Sequence, residues 1–245
     1  MICSETYLEL LESYLDEYGI ETTNEQRRLL LTHLDLVVEK NKVMNLTRIL
    51  TPEDAVQRHV VDSLLILPSV KKCELSRRQS FVDIGTGAGF PGVPLGIVTD
   101  YEGLLIDSVG KKISAVNEFV RDLGLTERLK AESIRVEDLA RSNYASYDLV
   151  VARAVADLGV LVEYASPLLK RGGHLVVSKA RIGDDEVRRG TGTAERTGMK
   201  YVSRETYELP EDAGHREILT FVREGKSQVK LPRQTGMAKH KPLVS

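Results

Sequence analysis

The chain has 245 residues, of which 42% are apolar and 29% charged, and its formal net charge is −2. This composition is typical of a soluble globular protein, and the length suits one large domain or a domain with a small appendage. No apolar run of about 18 residues is present and the N-terminus is acidic, which argues against a membrane span and a secretory signal. With Cys3 and Cys73 as the only cysteines, we expect a cytoplasmic protein with reduced thiols and no metal.

The first part of the chain has helical periodicity. Apolar residues recur at helical spacing in segments 7–15, 29–38 and 55–65. Thr51 and Pro52 suit the N-cap and the first position of the third helix, which we expect to run to Pro68. Residues 1–70 are therefore predicted to form a small N-terminal helical unit.

Past a polar linker at 71–79, short apolar segments alternate with helical ones. Strands are predicted at 80–84, 103–107, 128–132, 147–152, 174–179, 199–208 and 215–223, and helices at 92–98, 111–123, 157–169 and 184–198. This alternation is typical of an α/β fold with a parallel sheet covered on both faces. The last two strands suit an antiparallel hairpin at the sheet edge, and residues 71–223 are predicted to form one domain.

Charge is unevenly distributed along the chain. Residues 1–26 hold seven acidic residues and no Lys or Arg, whereas residues 223–241 hold six Lys and Arg. A basic tail at 224–245 favours a polyanion such as RNA, but a solvated, disordered terminus has the same composition. Both interpretations are open at this point.

A glycine-rich segment, Asp83-Ile84-Gly85-Thr86-Gly87-Ala88-Gly89-Phe90-Pro91-Gly92, follows the first predicted strand. Its glycines let a ligand approach the main chain, and the start of the next helix offers free N–H groups. A nucleotide-like cofactor is the expected ligand. Because Phe90 stands where a dinucleotide-binding motif has its last glycine, and Asp83 precedes the loop, S-adenosylmethionine is favoured over NAD.

Two segments after the next strands are candidates for holding the rest of such a cofactor. Asp107 ends the second strand, where a carboxylate can accept ribose hydroxyls; the alternative is a cap for the helix that follows. Val136 and Glu137 follow the third strand, where they suit contact with an adenine. The alternative there is a capping box with Ser133.

Further polar candidates lie at strand ends and among the N-terminal helices. Arg153 and Lys179 end the fourth and fifth strands, where each can contact cofactor, phosphate or target base, or form an ion pair with a nearby acid. Asn45 lies in a turn between helices. His59 lies within the third helix, where a structural histidine is the simpler interpretation.

Taken together, these segments resemble one family, the glucose-inhibited division protein B family, also called ribosomal RNA small subunit methyltransferase G. The matching positions, spread over nearly the whole chain, are 41–42, 45–47, 58–59, 62–63, 83–92, 107–108, 111, 135–137, 153 and 179. The resemblance implies a class I S-adenosylmethionine-dependent methyltransferase domain, Rossmann-like, at 71–223. It also implies methylation of guanine N7 in 16S rRNA near the decoding centre, on rRNA or the assembling small subunit, by a monomer.

The resemblance also implies residue roles. Gly85, Gly87, Phe90, Asp107, Val136, Glu137 and Arg153 would hold the cofactor, and Asn45, His59, Arg135, Arg153 and Lys179 would serve the RNA or the target base. Lys179-Ala180 and Arg216-Glu217 depart from the family's usual Lys-Gly and Arg-His. The alternatives are an NAD-dependent oxidoreductase, a non-catalytic RNA-binding protein that senses the cofactor, and a methyltransferase acting on a small molecule.

Overall fold

The computed structural model describes residues 2–49, 51–73, 79–153 and 155–244. Its α-helices are α1 Glu5–Glu17, α2 Asn24–Asn41, α3 Pro52–Ala55, α4 Asp62–Leu64, α5 Leu67–Lys72, α6 Gly92–Val98, α7 Gly110–Asp122, α8 Val136–Ser142, α9 Leu158–Leu168, α10 Asp184–Thr197 and α11 Met237–His240. Its strands are β1 Ser80–Ile84, β2 Glu102–Asp107, β3 Leu129–Ser133, β4 Tyr147–Arg153, β5 Leu169–Lys179, β6 Met199–Leu209 and β7 Gly214–Arg223. A π-helical segment, Val56–Val61, links α3 to α4, and a short 3₁₀ turn, Pro210–Asp212, links β6 to β7.

The strands form one sheet in the order β3-β2-β1-β4-β5-β7-β6. Strands β1 to β5 pair in parallel, while β7 is antiparallel to both β5 and β6. The predicted parallel sheet with an antiparallel edge hairpin is therefore confirmed. The chain moves from β1 to β2 and β3 on one side and returns to β4 on the other, so a crevice opens at the carboxyl ends of β1 and β4.

The third predicted helix is only partly confirmed. Thr51 is its N-cap and accepts a hydrogen bond from the main chain of Asp54, as expected. The single helix expected up to Pro68 is wrong: the α-helical turns give way to the π-helical segment, and a new helix begins at Leu67. Pro68 falls in the first turn of that helix, where its missing N–H breaks no intrahelical bond.

Three other elements differ from the sequence prediction. Strand β5 begins at Leu169, which pairs with Tyr147, so Gly172 and Gly173 lie inside the strand and not at its start. Helix α8 was not among the predicted helices; the start of a helix there was implied only by the capping-box alternative at Ser133. Helix α11, in the basic tail, was not predicted either.

The apolar core lies on both faces of the sheet. One cluster is continuous from α1 and α2, through residues such as Leu11 and Leu34, to the sheet residues Phe81 and Val176. The second cluster lies under α8, α9 and α10 and includes Ala238 of the tail. The described tail is thus packed on the sheet domain and is not a solvated terminus; the division of the chain at 70 and 224 remains a prediction.

Candidate active site

The glycine loop lies at the carboxyl end of β1, beside the crevice. Gly85, Gly87 and Gly89 have positive φ angles of 75°, 59° and 97°. A Cβ atom on Gly85 would lie 2.7 Å from a methyl group of Val155, so no larger residue fits there. A Cβ on Gly87 would meet nothing closer than 3.9 Å, which leaves open space above its main chain. The loop therefore presents bare backbone to the crevice, as the sequence predicts.

Asp83 shapes the loop from beneath. Its side chain is fully buried, and Oδ2 accepts a hydrogen bond from the Gly92 N–H at 2.9 Å, which ties the end of β1 to the start of α6. Burial raises the pKa of this carboxyl group to about 6. Asp83 is thus a structural support of the loop and does not line the cavities described next.

A cavity of about 210 Å³ opens on the β2 and β3 side of the loop. Asp107 lies at its edge: one carboxylate oxygen accepts from the Gly87 N–H at 3.2 Å and the other from the Val109 N–H at 2.9 Å. The alternative that Asp107 is the N-cap of the next helix is wrong, because the N-cap of α7 is Val109. Asp107 instead joins the glycine loop to the turn after β2.

Val136 and Glu137 line the same cavity, together with Arg135 and Tyr164. The predicted alternative, a capping box, is absent, since the N-cap of α8 is Arg135 and no side chain caps that end. Glu137 is buried, and its Oε1 accepts a hydrogen bond from the Gly236 N–H at 2.8 Å. Burial, together with Glu137, raises the pKa of Tyr164 to about 12, so this phenol stays protonated.

A second cavity, of about 420 Å³, lies on the other side of the loop and faces the N-terminal helices. Gly85 and Arg153 line both cavities, so the two meet at these residues. One wall is aromatic: the rings of His59 and Phe90 stack with centroids 4.6 Å apart and planes 9° apart. A position in the larger cavity can therefore be adjacent to a ligand held in the smaller one.

Arg153 lies at this junction in a network of charges. Its Nη1 is 3.1 Å from Oδ2 of Asp62, and the guanidinium lies 5.4 Å from the centroid of the Phe90 ring. The other oxygen of Asp62 accepts from Nε of Arg216 at 2.8 Å. The predicted ion-pair alternative is thus present, yet the same arginine borders both cavities. Its contact with a ligand stays a prediction.

The remaining predicted residues, Lys179, Arg135 and Asn45, do not all lie at the same cavity. Lys179 lines the larger cavity, donates to the Ala156 carbonyl at 2.8 Å and pairs with Glu186. Arg135 is exposed and borders the smaller cavity instead. Asn45 is exposed and lines neither cavity. The structure therefore brings together His59, Arg153 and Lys179.

Sequence reasoning missed His33. This buried side chain of α2 lies under the glycine loop, with Nε2 3.1 Å from the Ala88 carbonyl oxygen. Its ring packs 4.6 Å from Phe90, so Phe90 contacts both His33 and His59. Burial lowers the pKa of His33 to about 4, and burial with the nearby Arg153 lowers that of His59 to about 3. Both rings are therefore neutral at physiological pH.

Asp62 and Arg216 were also not assigned roles from the sequence. Asp62 belonged to one of the segments that resemble the family, Arg58-His59 with Asp62-Ser63, without a role of its own. Arg216 was noted only as part of a departure from the family pattern, and its contact with Asp62 joins residues 154 positions apart in sequence.

Comparison with known proteins decides the family. A family model described as GidB, rRNA small subunit methyltransferase G, matches residues 26–212. The chain belongs to this family. A relative named ribosomal RNA small subunit methyltransferase G, from Staphylococcus epidermidis, is 37% identical over 97% of this chain and 98% of its own length. Another relative of the same name, from Desulfitobacterium hafniense, is 36% identical over 92% of this chain and 93% of its own length.

Solved structures share the fold at low sequence identity. TYW2 from M. jannaschii, solved in complex with AdoMet, is 16% identical, covers 64% of this chain and 75% of its own, and has a TM-score of 0.50. The cyclase SpnF is also 16% identical; the match covers 82% of this chain and 94% of the SpnF chain, with a TM-score of 0.56. The predicted class I methyltransferase fold is confirmed. A cyclase on the same fold also illustrates that the fold alone does not fix the reaction.

Two features are absent from the described residues. None of their helices is both long and apolar enough to cross a membrane. Within the same ranges, no group of three or more His, Cys, Asp or Glu side chains has an arrangement suited to a metal ion. Cytoplasmic location and the monomeric state remain predictions.

Proposed function

We propose that this protein transfers a methyl group from S-adenosylmethionine to N7 of a guanine in 16S rRNA, as rRNA or within the assembling small subunit. Family membership and the class I fold support the reaction class. The observation that carries the proposal is the junction of the two cavities at Gly85 and Arg153. One cavity suits the adenosine of the cofactor and the other the target base, so donor and acceptor would meet over the glycine loop.

The residues of the smaller cavity fit the cofactor. Gly85 brings main chain without a side chain to this cavity, and Asp107 offers carboxylate oxygens at the end of β2. Val136 adds an apolar surface suited to an adenine face. The bound cofactor would supply a methyl group carried on a positively charged sulfur.

The larger cavity needs no proton acceptor for this reaction. Guanine N7 has a free lone pair and carries no proton, so no general base has to remove one. The neutral rings of His59 and Phe90 then serve as a flat surface against which a base can be oriented. Orientation of this kind contributes roughly 7–11 kcal/mol to lowering a barrier.

Positive side chains at the rim suit an RNA substrate. Arg58, Lys179 and Arg216 line the larger cavity, and Asp62 holds Arg153 and Arg216 in fixed positions. Cationic side chains bind phosphate and supply much of the affinity for nucleic acid. We assign Asn45, which is exposed outside the cavity, to contact with RNA beyond the target base, and Arg135 to the cofactor side.

The test is transfer of labelled methyl from S-adenosylmethionine to small subunits, and to rRNA extracted from them, from cells that lack this protein. We expect N7-methylguanosine at a single position of 16S rRNA, mapped by chemical cleavage at that base. Methyl at another atom, or on a small molecule only, would refute the proposed specificity. Competition between S-adenosylmethionine and NAD for the site tests the oxidoreductase alternative. Binding of S-adenosylmethionine without methyl transfer would favour a non-catalytic RNA-binding protein.

A further inference from the structure

The C-terminal tail does not project away from the protein: it passes the smaller cavity at Lys239, and its Leu243 carbonyl accepts a hydrogen bond from Arg196 of α10. We propose that residues 231–239 form a wall of the adenosine half of the cofactor site, and that Lys239 is a cofactor-binding residue. This inference rests on the proposed function, because it adds residues to the same site. It gives the basic tail a role in holding an adenosine nucleoside, where the sequence had favoured RNA.

The tail is fixed by a nearly buried ion pair. Arg233 donates from Nε and Nη2 to the two carboxylate oxygens of Glu163 on α9, at 2.8 and 2.6 Å. The side chains are 19% and 5% exposed. Bidentate pairs of this kind have a defined geometry as well as a favourable energy. Arg233 thus fixes the tail to α9.

Two further contacts direct the tail towards the cavity. The Gly236 N–H donates to Glu137, which lines the smaller cavity. Ala238, 2% exposed, belongs to the same apolar cluster as Val136 and Tyr164, which line that cavity too. The tail therefore contacts the residues that were predicted to hold the adenosine.

Lys239 is the tail residue that reaches the cavity. It lines the cavity with Asp107, Ser108 and Arg135, and its ammonium group makes no hydrogen bond or ion pair with any other described residue. An ammonium group on a flexible stem donates up to three hydrogen bonds, which suits the ribose oxygens that Asp107 is also placed to contact. Arg233 acts through the position of the tail and is a positioning residue.

The experiment uses the full-length protein with Lys239→Ala, Arg233→Ala and Arg233→Lys, and with Lys241→Ala as the matched control. Lys241 is exposed, lies two residues from Lys239 and lines neither cavity. Calorimetry measures binding of S-adenosylhomocysteine and of 5′-methylthioadenosine, which lacks the amino-acid part. Methyl transfer gives KM and kcat, filter binding gives RNA affinity, and a melting curve checks the fold.

We expect Lys239→Ala and Arg233→Ala to raise the Kd of both ligands about tenfold, the usual effect of losing one charge-assisted hydrogen bond. KM for the cofactor should rise by a similar factor while kcat and RNA affinity match those of Lys241→Ala. Arg233→Lys, which keeps the charge, should recover part of the affinity.

Unchanged Kd values together with weaker RNA binding would overturn the inference and show that the tail binds RNA and not the cofactor. A lower melting temperature with unchanged Kd values would also overturn it, leaving the tail a purely structural role. If the unsubstituted protein bound neither adenosine ligand, the proposed function would fail, and this inference with it.

Discussion

His59 and Phe90 stack face to face, with ring centroids 4.6 Å apart, although one belongs to the N-terminal helices and the other to the glycine loop. His33 packs against Phe90 as well, at 4.6 Å, and contacts the main chain of the loop. The N-terminal helices therefore hold the loop in position. A role limited to gripping RNA would not require these contacts.

The stack predicts a role for Phe90 in catalysis. Phe90→Leu keeps an apolar side chain but removes two aromatic contacts, each worth about 0.5–1.5 kcal/mol. We expect kcat/KM for methyl transfer to fall about tenfold with a modest loss of stability. Phe119→Leu is the control, because Phe119 is buried and touches His33 but lines neither cavity. Equal losses of activity in the two variants would show that only packing matters.

Gly87 lines the larger cavity, two residues from Gly85, which lines both, and the open space above the main chain of Gly87 predicts that a side chain there blocks the cofactor. Gly87→Val adds backbone strain of about 1–2 kcal/mol from its positive φ and also projects into the crevice. Gly124→Val is the matched control, since Gly124 has a φ of 69°, lies outside both cavities, and has nothing within 4 Å of the position that a Cβ would take. Calorimetry should find cofactor binding lost in the first variant and kept in the second. Normal binding by Gly87→Val would place the cofactor elsewhere.

The pairing of Asp62 with two arginines predicts that Arg153 affects turnover more than folding. In Arg153→Ala, the buried carboxylate of Asp62 keeps its ion pair with Arg216 and so is not left unpaired. We expect kcat to fall by roughly 100-fold, as when a positioned donor is removed from an active site, with a nearly unchanged melting temperature. Arg121→Ala, at an exposed ion pair with Asp122, should leave kcat unchanged. A melting temperature that fell sharply would instead assign Arg153 a structural role.

Much of the fold could be predicted, because its signals are local. Alternating apolar segments gave the strands, and the spacing of Gly85, Gly87 and Gly89 gave the loop that approaches a ligand. Contacts between distant segments carried no such signal. Arg216 reaches Asp62 across 154 positions of sequence, and Gly236 reaches Glu137 across 99.

Two further features, one of the tail and one of the third predicted helix, have no clear signal in the sequence. The basic composition of the tail suggested exposure, but its anchoring depends on Glu163, an acid whose position on α9 no local pattern reveals. The helix expected to continue to Pro68 is interrupted by a π-helical segment that contains His59. Such segments occur often at functional sites, yet apolar spacing alone does not distinguish them from an α-helix.

The neutral state of His33 predicts that acid destabilises the protein. The pKa of His33 is lowered to about 4 by burial, below the usual 6.5 expected in the unfolded chain. The unfolded state thus takes up a proton between these values and the folded state does not, so stability falls as pH falls through this window. At pH 5 the loss from this histidine is about 2 kcal/mol relative to pH 7 and above.

His33→Gln tests this directly, since an amide can donate to the Ala88 carbonyl but cannot become charged. Denaturant unfolding at pH 7 and pH 5 should show a smaller loss of stability in the variant than in the unsubstituted protein. An identical pH dependence in His33→Gln would show that His33 accommodates a proton in the folded state.

The proposed cofactor position lies over the glycine loop, with the sulfur where the two cavities meet. The most direct test is a crystal structure of the protein with S-adenosylhomocysteine. We expect the adenosine beside Asp107 and Val136, and the sulfur next to Gly85 and Arg153, facing the wall formed by His59 and Phe90. A ligand bound outside this crevice, or a sulfur directed away from the larger cavity, would contradict the account.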